Sequence, residues 1–372
     1  MRVINIIDRA DQVNFGIWNA AIFTAACLED SYNISSEVWL PPGAPSLPEG
    51  RYFQYEIPSV SLSAIPSVLN ERNLNSKTDI IVTHGCWQYP TIWGNQLSKQ
   101  GYIWIVLPQG MLEPWSMQQK KWKKFIYFHL REKIMLHRAT IIRAVGRPER
   151  DNLRRLFPEQ QVMLIPNGVD LIEAVEKPRG KFSVLFLSRL HHKKGVILLV
   201  QAWVKSLLNN QPNYELVIAG PDEGEQEKIL AVLNQSTNIR LLGPVYGAEK
   251  EELLKRCHFF ALPSFSEGFP TAVLEGINYG LKPLISKNCN FPELSEAGHA
   301  VALEPDVHQI IYTLNQLTHF NFDDLEKQAI QARLFLSQHY TTPVIAANQH
   351  ELYQQLIDEH ISRAQAVAAM RY

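Results

Sequence analysis

Short runs of apolar residues alternate along this chain with longer segments whose apolar residues are spaced as in amphipathic helices. Such short runs are typical of strands buried on both faces. The predicted strands cover residues 3–7, 79–83, 102–107, 139–145, 162–165, 182–187, 216–219, 239–243, 258–263, 283–286 and 299–303. Because strands that alternate with helices pair in parallel, we predict an α/β protein with two halves, each of roughly six or seven strands.

The polar segment at residues 173–181 contains no apolar run, and we predict that it links the two halves. The first domain is therefore placed at residues 1–172 and the second at 173–342, followed by a helical C-terminal segment at 343–372. A chain of 372 residues is long enough for two domains of ordinary size. Near its start, the loop at residues 8–16 is expected to lead into a helix at about residues 17–28.

Composition describes a globular protein, with 46% hydrophobic and 20% charged residues. The net charge of −1 provides no overall attraction to nucleic acid, so we expect no nucleic-acid partner. The four cysteines show no C-x-x-C spacing, which indicates reduced thiols rather than metal ligands or disulfides. The amino terminus lacks a signal segment and no 18-residue apolar run occurs, so we expect a cytoplasmic protein without a membrane-spanning helix.

The most informative stretch runs from Leu262 to Pro292. An uncharged strand leads there through a turn into a helix predicted at residues 271–279, with Pro270 in its first turn and Gly280 at its end. The turn falls at the carboxyl edge of a parallel sheet, where open α/β folds bind ligands. A helix start offers free N–H groups to a phosphate, and Gly268 would let the backbone approach it closely.

Two glutamates flank this helix start, Glu267 in the turn and Glu275 eight residues later. A carboxylate beside a bound phosphate is unusual unless it recognises hydroxyl groups. Within SEGFPTAVLEGINYGLKP, this Glu-x7-Glu pair resembles the hallmark of the family 4 glycosyltransferases, which are retaining enzymes with the GT-B fold. The resemblance implies two Rossmann-like domains facing each other across a cleft, with the last helix crossing back to the first domain.

The resemblance extends to other positions of the second domain. Arg189 and Lys194 match the Arg-x4-Lys-Gly pair that holds the donor diphosphate in the family. A guanidinium and an ammonium can bind phosphate oxygens and stabilise a nucleoside diphosphate leaving group without a metal. By the same resemblance, Glu275 would bind the ribose, and Glu267 would lie beside the transferred sugar. Further donor contacts are expected from Gly220, Gly268, Phe269, Pro270 and Thr271. Tyr246 would border the base, with simple packing as the alternative.

Segments of the first domain match the family as well. Gly16 lies where a glycine-containing loop borders the acceptor and the donor phosphates, although a plain turn glycine is the alternative. His84 follows a buried strand and would contact the transferred sugar, unless it only bonds to backbone. The run PQGML at residues 108–112 resembles polysaccharide-building members, and PNGVD at 166–170 resembles the end of the family's first domain.

The segment at residues 114–138 is strongly basic and rich in aromatic residues. Its cations are Lys120, Lys121, Lys123, Lys124, Arg131, Lys133 and Arg138, against Glu132 alone. A basic helix with interleaved aromatic residues suits the surface of an anionic membrane. The alternative is a helix whose aromatic residues face the domain core while its lysines are simply solvated.

The sequence thus predicts a retaining, metal-independent hexosyltransferase. It would move a sugar from a UDP- or GDP-sugar to a hydroxyl of a lipid-linked or saccharide acceptor in bacterial surface polysaccharide biosynthesis. No cofactor is expected, and neither G-x-G-x-x-G nor G-x-x-x-x-G-K-[ST] occurs. The protein would be cytoplasmic, and peripheral on the inner face of the cell membrane if residues Lys120 to Arg138 bind anionic lipid. Two alternatives stay open: a phosphorylase or sugar-phosphate-forming enzyme on the same fold, and a non-catalytic nucleotide-sugar-binding protein.

Overall fold

The computed structural model of the protein describes residues 1–11, 14–119 and 121–369, except for the side chains of Phe15 and residues 367–369. The chain divides into two compact units. The first contains Met1–Gly168 together with the C-terminal residues from Thr342 onward, and the second contains Val169–Thr341.

The first domain is built on a seven-stranded parallel sheet. Its strands are β1 (Arg2–Ile6), β2 (Ser35–Leu40), β3 (Phe53–Glu56), β4 (Asp79–His84), β5 (Ile103–Leu107), β6 (Ile141–Ala144) and β7 (Val162–Leu164). The order across the sheet is β3-β2-β1-β4-β5-β6-β7. Strand order reverses between β1 and β4, which is the position where doubly wound folds bind ligands at the carboxyl ends of their strands.

Helices cover both faces of this sheet. They are α1 (Phe15–Ile22), α2 (Ala25–Tyr32), α3 (Ile65–Arg72), α4 (Tyr89–Lys99), α5 (Pro114–Gln118), α6 (Lys121–Tyr127), α7 (Lys133–Leu136) and α8 (Arg147–Leu156). The single helix predicted at residues 17–28 is therefore wrong, because the chain forms two helices there. At the break, the buried Thr24 hydroxyl donates a 2.7 Å hydrogen bond to the Gln349 side chain.

The basic segment also departs from the prediction of one continuous helix. It contains α5, α6 and α7, with a π-helical turn at Phe128–Glu132 between the last two. Lys120, which the sequence places at the start of the basic cluster, lies outside the described residues. The π-turn coincides with the buried Glu132 carboxylate, which accepts a 2.9 Å hydrogen bond from the main-chain N–H of Trp87.

The second domain contains a six-stranded parallel sheet of order β10-β9-β8-β11-β12-β13. Its strands are β8 (Phe182–Leu187), β9 (Tyr214–Ala219), β10 (Ile239–Gly243), β11 (Phe259–Leu262), β12 (Lys282–Ile285) and β13 (Val301–Ala302). Its helices are α9 (Val196–Lys205), α10 (Gln226–Leu233), α11 (Gly247–Arg256), α12 (Thr271–Asn278), α13 (Pro292–Glu296), α14 (Val307–Gln316) and α15 (Phe322–His339). Seven and six strands agree with the prediction of roughly six or seven in each half, although the apolar runs located only five of the seven strands of the first sheet.

The last helix, α16 (Thr342–Ala369), belongs to the first domain. Its residues Ile345 and Leu352 lie in one apolar cluster with Val3 of β1 and Ile105 of β5. No helix in the described part of the chain is both long and apolar enough to cross a membrane.

The first domain boundary lies at residues 168 and 169, four residues before the predicted position. The Val169 N–H donates to the main-chain oxygen of Tyr340 at 2.9 Å. The Asn278 side chain donates to the Asp170 carbonyl at 2.7 Å, and Arg333 donates to the Ile172 carbonyl at 2.8 Å. These bonds attach residues 169–172 to the second domain before the polar segment begins, and an apolar pattern cannot reveal such long-range contacts.

Candidate active site

The turn between β11 and α12 holds Glu267 in a fixed main-chain position. The Glu267 N–H donates to the Asn288 carbonyl at 2.9 Å, and the Asn290 side chain donates to the Glu267 carbonyl at 2.6 Å. Pro270 precedes α12 rather than occupying its first turn, since the helix begins at Thr271. Gly268 and Phe269 are half-buried in the same turn, where the Phe269 ring packs against Phe291.

Lys194 forms an ion pair with Glu267. Its ammonium lies 2.8 and 2.7 Å from the two carboxylate oxygens. Burial opposes ionisation of Glu267, but the charge and hydrogen bonds of Lys194 outweigh it, and the pKa of Glu267 lies below its ordinary value. The two residues come together because Gly195, at a φ of +71°, lets its loop approach β11 closely. A Cβ on Gly195 would lie 2.1 Å from the carbonyl oxygen of Pro263.

Arg189 forms a second ion pair, with Glu223. One guanidinium nitrogen of Arg189 lies 2.9 Å from each carboxylate oxygen. Arg189 follows β8 and Glu223 follows β9, and Gly220 allows the ends of these strands to meet at a φ of +147°. Gly220 was predicted to contact the ligand. In the structure it packs against Ser188, whose carbonyl oxygen would lie 1.9 Å from a Cβ added to Gly220. This close approach places Arg189, the next residue after Ser188, beside the end of β9.

Glu275 forms a third ion pair, with Lys250. The Lys250 ammonium lies 3.0 and 3.1 Å from the two carboxylate oxygens, and both side chains are partly exposed. Lys250 is on α11, in the first turn after the exposed Tyr246, which caps the helix start. The half-buried Thr271 is the first residue of α12, four positions before Glu275.

All three ion pairs follow the carboxyl ends of parallel strands and therefore lie along one edge of the second sheet. We call this set the charged edge, defined by Arg189, Lys194, Glu223, Lys250, Glu267 and Glu275. Four of its members were expected from the sequence, whereas Glu223 and Lys250 were not. In chemical terms, the edge offers cations to an anion and carboxylates to hydroxyl groups.

His84 lies at the carboxyl end of β4 and is only 2% exposed. Its Nε2 is 2.9 Å from the Asn5 side-chain oxygen, and its Nδ1 is 2.9 Å from the Gln109 side-chain nitrogen. Burial, with a smaller contribution from the charge of Arg143, lowers the pKa of His84 to about 3. The ring is therefore neutral, and its two nitrogens bond to side chains, not to the backbone that the alternative interpretation named.

The prediction that Gly16 lies in a loop is wrong, because Gly16 is the second residue of α1. It is exposed, and an added Cβ would meet no atom within 4 Å. The preceding loop includes Gln12 and Val13, which lie outside the described residues. Neither the backbone conformation nor the space around this position therefore requires a glycine.

The basic segment presents apolar side chains outward. Trp122 is 76% exposed, and Phe125, Ile126, Leu130 and Ile134 are also exposed. Only Phe128, of the aromatic residues predicted to interleave with the lysines, is fully buried. Lys121, Lys123 and Arg131 are exposed beside them, whereas Lys124 donates to the Ser116 carbonyl at 2.7 Å. We call residues 121–134 the basic apolar segment.

Several known proteins resemble this chain in sequence or in fold. Residues 170–333 match the family described as Glycosyl transferases group 1, which corresponds almost entirely to the second domain. One of the subunits of phosphatidylinositol N-acetylglucosaminyltransferase from Homo sapiens is 26% identical over 165 residues, or 42% of this chain and 34% of that protein. The O-antigen biosynthesis glycosyltransferase WbnH from Escherichia coli is 29% identical over 180 residues, or 47% of this chain and 48% of that protein.

The similarity to these curated relatives spans about a third to a half of their length. Among solved structures, Anabaena HepE in complex with UDP and glucose superposes with a TM-score of 0.71 at 16% identity, covering 95% of this chain and 99% of that one. The predicted fold class, α/β with the GT-B fold, is confirmed. The family match and the curated relatives support a group 1 glycosyltransferase domain at residues 170–333, and the solved structures show the fold.

Proposed function

We propose that this protein transfers a sugar from a nucleoside diphosphate sugar to a hydroxyl of a lipid-linked or saccharide acceptor, with retention of anomeric configuration. The observation that carries the proposal is the charged edge, which lies inside the domain that matches Glycosyl transferases group 1. Each of its carboxylates is paired with a cation. When a donor binds, a phosphate can take the place of the carboxylate beside the cation, and hydroxyl groups can take the place of the cation beside the carboxylate.

The diphosphate would bind to Arg189 and Lys194. A guanidinium presents two N–H groups to phosphate oxygens, and an ammonium contributes a compact charge beside it. The eight-residue helix α12 begins immediately after Pro270, so the positive end of its dipole lies near the same turn. Not all N–H groups there are free, because those of Thr271 and Val273 donate to the Phe269 and Pro270 carbonyl oxygens. The two cations and the helix start would stabilise the leaving nucleoside diphosphate, and we therefore propose transfer without a metal.

The two carboxylates of the Glu-x7-Glu pair would bind hydroxyl groups. Glu275, on the helix, would accept hydrogen bonds from the ribose, and Glu267, in the turn, would accept them from the transferred sugar. An ionised carboxylate only accepts hydrogen bonds. Glu275 and Glu267 now accept them from Lys250 and Lys194, and these ion pairs would break or rearrange when sugar hydroxyls donate instead.

The names of the similar proteins support the proposed donor and acceptor classes. HepE is described with UDP and glucose, and WbnH is named for O-antigen biosynthesis. The human protein is named for transfer of N-acetylglucosamine to phosphatidylinositol, which is a lipid. We therefore propose a UDP- or GDP-sugar as the donor and a role in building bacterial surface polysaccharide.

The basic apolar segment would place the protein on the inner face of the cell membrane. Exposed Trp122 and Leu130 beside Lys121, Lys123 and Arg131 combine an insertable apolar surface with attraction to anionic lipid. Binding to vesicles should require anionic lipid, weaken with salt, and fall when Lys121 and Lys123 are replaced by Gln. Equal binding by the wild type and this variant would argue against the membrane role.

A donor panel tests the catalytic proposal. The protein is melted with UDP-, GDP- and ADP-sugars, and a true donor at 100 times its dissociation constant should add about 2.7 kcal/mol to the free energy of unfolding. Transfer of that sugar should persist in EDTA, and NMR coupling constants should show the donor's anomer in the product. An inverted product or a strict metal requirement would refute those two parts of the proposal separately.

The donor site itself is tested by Arg189→Ala. Loss of a charged hydrogen bond should weaken nucleoside diphosphate binding by about 1.5–3 kcal/mol in calorimetry. Arg179→Ala is the matched control, because Arg179 pairs with Asp323 and Glu326 elsewhere in the same domain. Equal affinities for the two variants would remove Arg189 from the site. Release of sugar phosphate when inorganic phosphate replaces the acceptor would instead indicate a phosphorylase.

A further inference from the structure

His84 is poorly placed to contact a substrate itself. It is almost fully buried, and both ring nitrogens already bond to neighbouring side chains. The residue at the exposed end of this arrangement is Gln109, which follows β5 and is half-buried. The question is therefore what the Gln109 side chain presents to a ligand.

A fixed sequence of hydrogen bonds sets the orientation of the Gln109 amide. The Asn5 side-chain nitrogen donates to the main-chain oxygen of Glu37 at 3.5 Å, which turns the Asn5 oxygen toward His84. His84 Nε2 then carries the proton that it donates to Asn5, so Nδ1 is an acceptor. Gln109 donates its amide N–H to that Nδ1. Its amide oxygen must therefore point away from His84, and no protein donor bonds to this oxygen among the described residues.

The backbone at Gln109 is held in a strained conformation. Gln109 has a φ of +51°, a left-handed value that costs a non-glycine residue free energy. Neighbouring bonds maintain it: the Gly110 N–H donates to the buried Glu149 carboxylate at 2.5 Å, and the Asn152 side chain donates to the Leu112 carbonyl at 3.0 Å. A glycine would adopt this backbone more easily, so the glutamine side chain gives no advantage to the local backbone.

We propose that Gln109 contacts substrate through its amide oxygen, which accepts a hydrogen bond from a sugar hydroxyl. Asn5 and His84 are positioning residues that fix the direction of this acceptor. The inference rests on the proposed function, since it takes a saccharide as the ligand of this edge. An uncharged acceptor suits a hydroxyl donor and does not attract a phosphate. The hydroxyl comes either from the transferred sugar or from the acceptor saccharide.

The decisive variant is Gln109→Gly, because it removes the side chain and relieves the left-handed strain together. We expect it to melt close to the wild type, since relief of strain offsets the lost bond to His84. Its kcat/KM for transfer should fall at least tenfold, while the dissociation constant for the nucleoside diphosphate alone stays unchanged. Gln100→Ala, an exposed glutamine at the opposite end of β5, is the matched control and should keep wild-type kinetics.

Kinetics with each substrate varied separately identify the hydroxyl. A raised KM for the donor, together with slower donor hydrolysis without acceptor, indicates the transferred sugar. A raised KM for the acceptor alone indicates the acceptor saccharide. Either result supports the proposal, and wild-type kinetics for Gln109→Gly with both substrates would overturn it. A wild-type protein that binds no nucleotide sugar would instead overturn the proposed function, and this inference with it.

The positioning role is tested at Asn5. Asn5→Asp keeps an oxygen that accepts the His84 proton, whereas Asn5→Leu removes it. We expect Asn5→Asp to retain most of the transfer rate and Asn5→Leu to lose it. The ¹⁵N shifts of His84 should report the Nε2–H tautomer in the wild type and in Asn5→Asp, and a mixture of tautomers in Asn5→Leu. Equal rates and spectra for the two variants would remove Asn5 from this role.

Discussion

At the carboxyl edge of the first sheet, Asn5, His84 and Gln109 form an uncharged chain of hydrogen bonds. The same edge of the second sheet carries three ion pairs. Strand order and loop positions are similar in the two domains. The side chains at the two edges nevertheless differ in charge and in whether they can exchange their hydrogen-bond partners for a ligand. The first edge fixes a neutral acceptor before any ligand arrives, and the second keeps cations that can exchange partners.

This difference indicates how the two edges divide their ligands. When a phosphate takes the place of a carboxylate, each cation keeps an anionic partner, and hydroxyl donors must then compensate the released carboxylate. A neutral ligand has no such exchange available and gains more from an acceptor that is already oriented. The charged edge therefore suits the diphosphate, and the uncharged edge suits a sugar. We expect the two edges to differ in their effect on stability, in their response to pH and in their affinity for nucleotide.

The largest expected effect is on the charged edge alone. Gly220→Ala places a Cβ 1.9 Å from the Ser188 carbonyl oxygen at a φ of +147°, so the ends of β8 and β9 must move apart. We expect the free energy of unfolding of the second domain to fall by about 3 kcal/mol or more. Hydrogen exchange resolved by domain measures this loss, and the first-domain amides should be unaffected.

The control for this variant is Gly16→Ala. Gly16 lies in helix α1, and an added Cβ meets no atom within 4 Å. Alanine should leave stability unchanged or raise it by up to about 1 kcal/mol, because glycine is a poor helix former. If Gly220→Ala were as stable as Gly16→Ala, the close approach of Gly220 to Ser188 would not hold the charged edge together.

The second prediction is that pH acts in opposite directions on the two edges. Burial raises the pKa of Glu149, which holds the Gly110 N–H beside Gln109, from 4.5 to about 7. The folded protein keeps a proton there that the unfolded chain releases, so stability falls as pH rises from 4.5 to 7, by about 3 kcal/mol. The pKa of Glu267 is lowered instead, so its contribution is present above pH 4.5 and is lost as pH falls below that value.

Hydrogen exchange, corrected for its intrinsic pH dependence, can follow both edges in one sample. Protection of the Gly110 and Val145 amides, which donate to Glu149, should decrease between about pH 4.5 and pH 7. Protection of the Glu267 amide should decrease only in acid. Glu149→Gln should remove the first dependence and leave the second. The same pH response at both edges would contradict the assigned pKa directions.

The sequence predicted the fold and the candidate site to different extents. Short apolar runs gave most of the strands, but β2 and β3 were not assigned. β2 contains the charged Glu37, whose burial depends on ion pairs with Arg2 and Arg72 at 3.3 and 3.1 Å. β3 is a short edge strand with half-exposed residues. Long-range charge pairing and edge position leave no local apolar pattern, so neither strand could be recognised.

At the site, motif spacing located Arg189, Lys194, Glu267 and Glu275 on one sheet edge, as the structure has them. It gave no sign that every one of these charges has a protein partner. Lys250 lies on a helix with several other charged residues, and nothing local separates it from a solvated lysine. The orientation of Gln109 depends on hydrogen bonds to residues 25 and more positions away, which sequence spacing cannot show.

The smallest expected effect concerns Lys250, which holds both oxygens of the carboxylate proposed to bind ribose. Because the ion pair is partly exposed, it is worth less than about 1 kcal/mol. Lys250→Met should therefore free Glu275 and raise nucleoside diphosphate affinity by up to about fivefold. Glu275→Gln should lower the affinity for the nucleoside diphosphate and the intact donor equally, since ribose is common to both. Lys181→Met is the control, because Lys181 pairs with Glu215 at the amino edge of the same sheet. Calorimetry on the three variants distinguishes a lysine that only occupies Glu275 from a lysine that contacts the nucleotide. Weaker nucleotide binding by Lys250→Met would mean that Lys250 contacts the nucleotide itself. The nucleotide would then be recognised at this end of the charged edge by Lys250 as well as by a carboxylate.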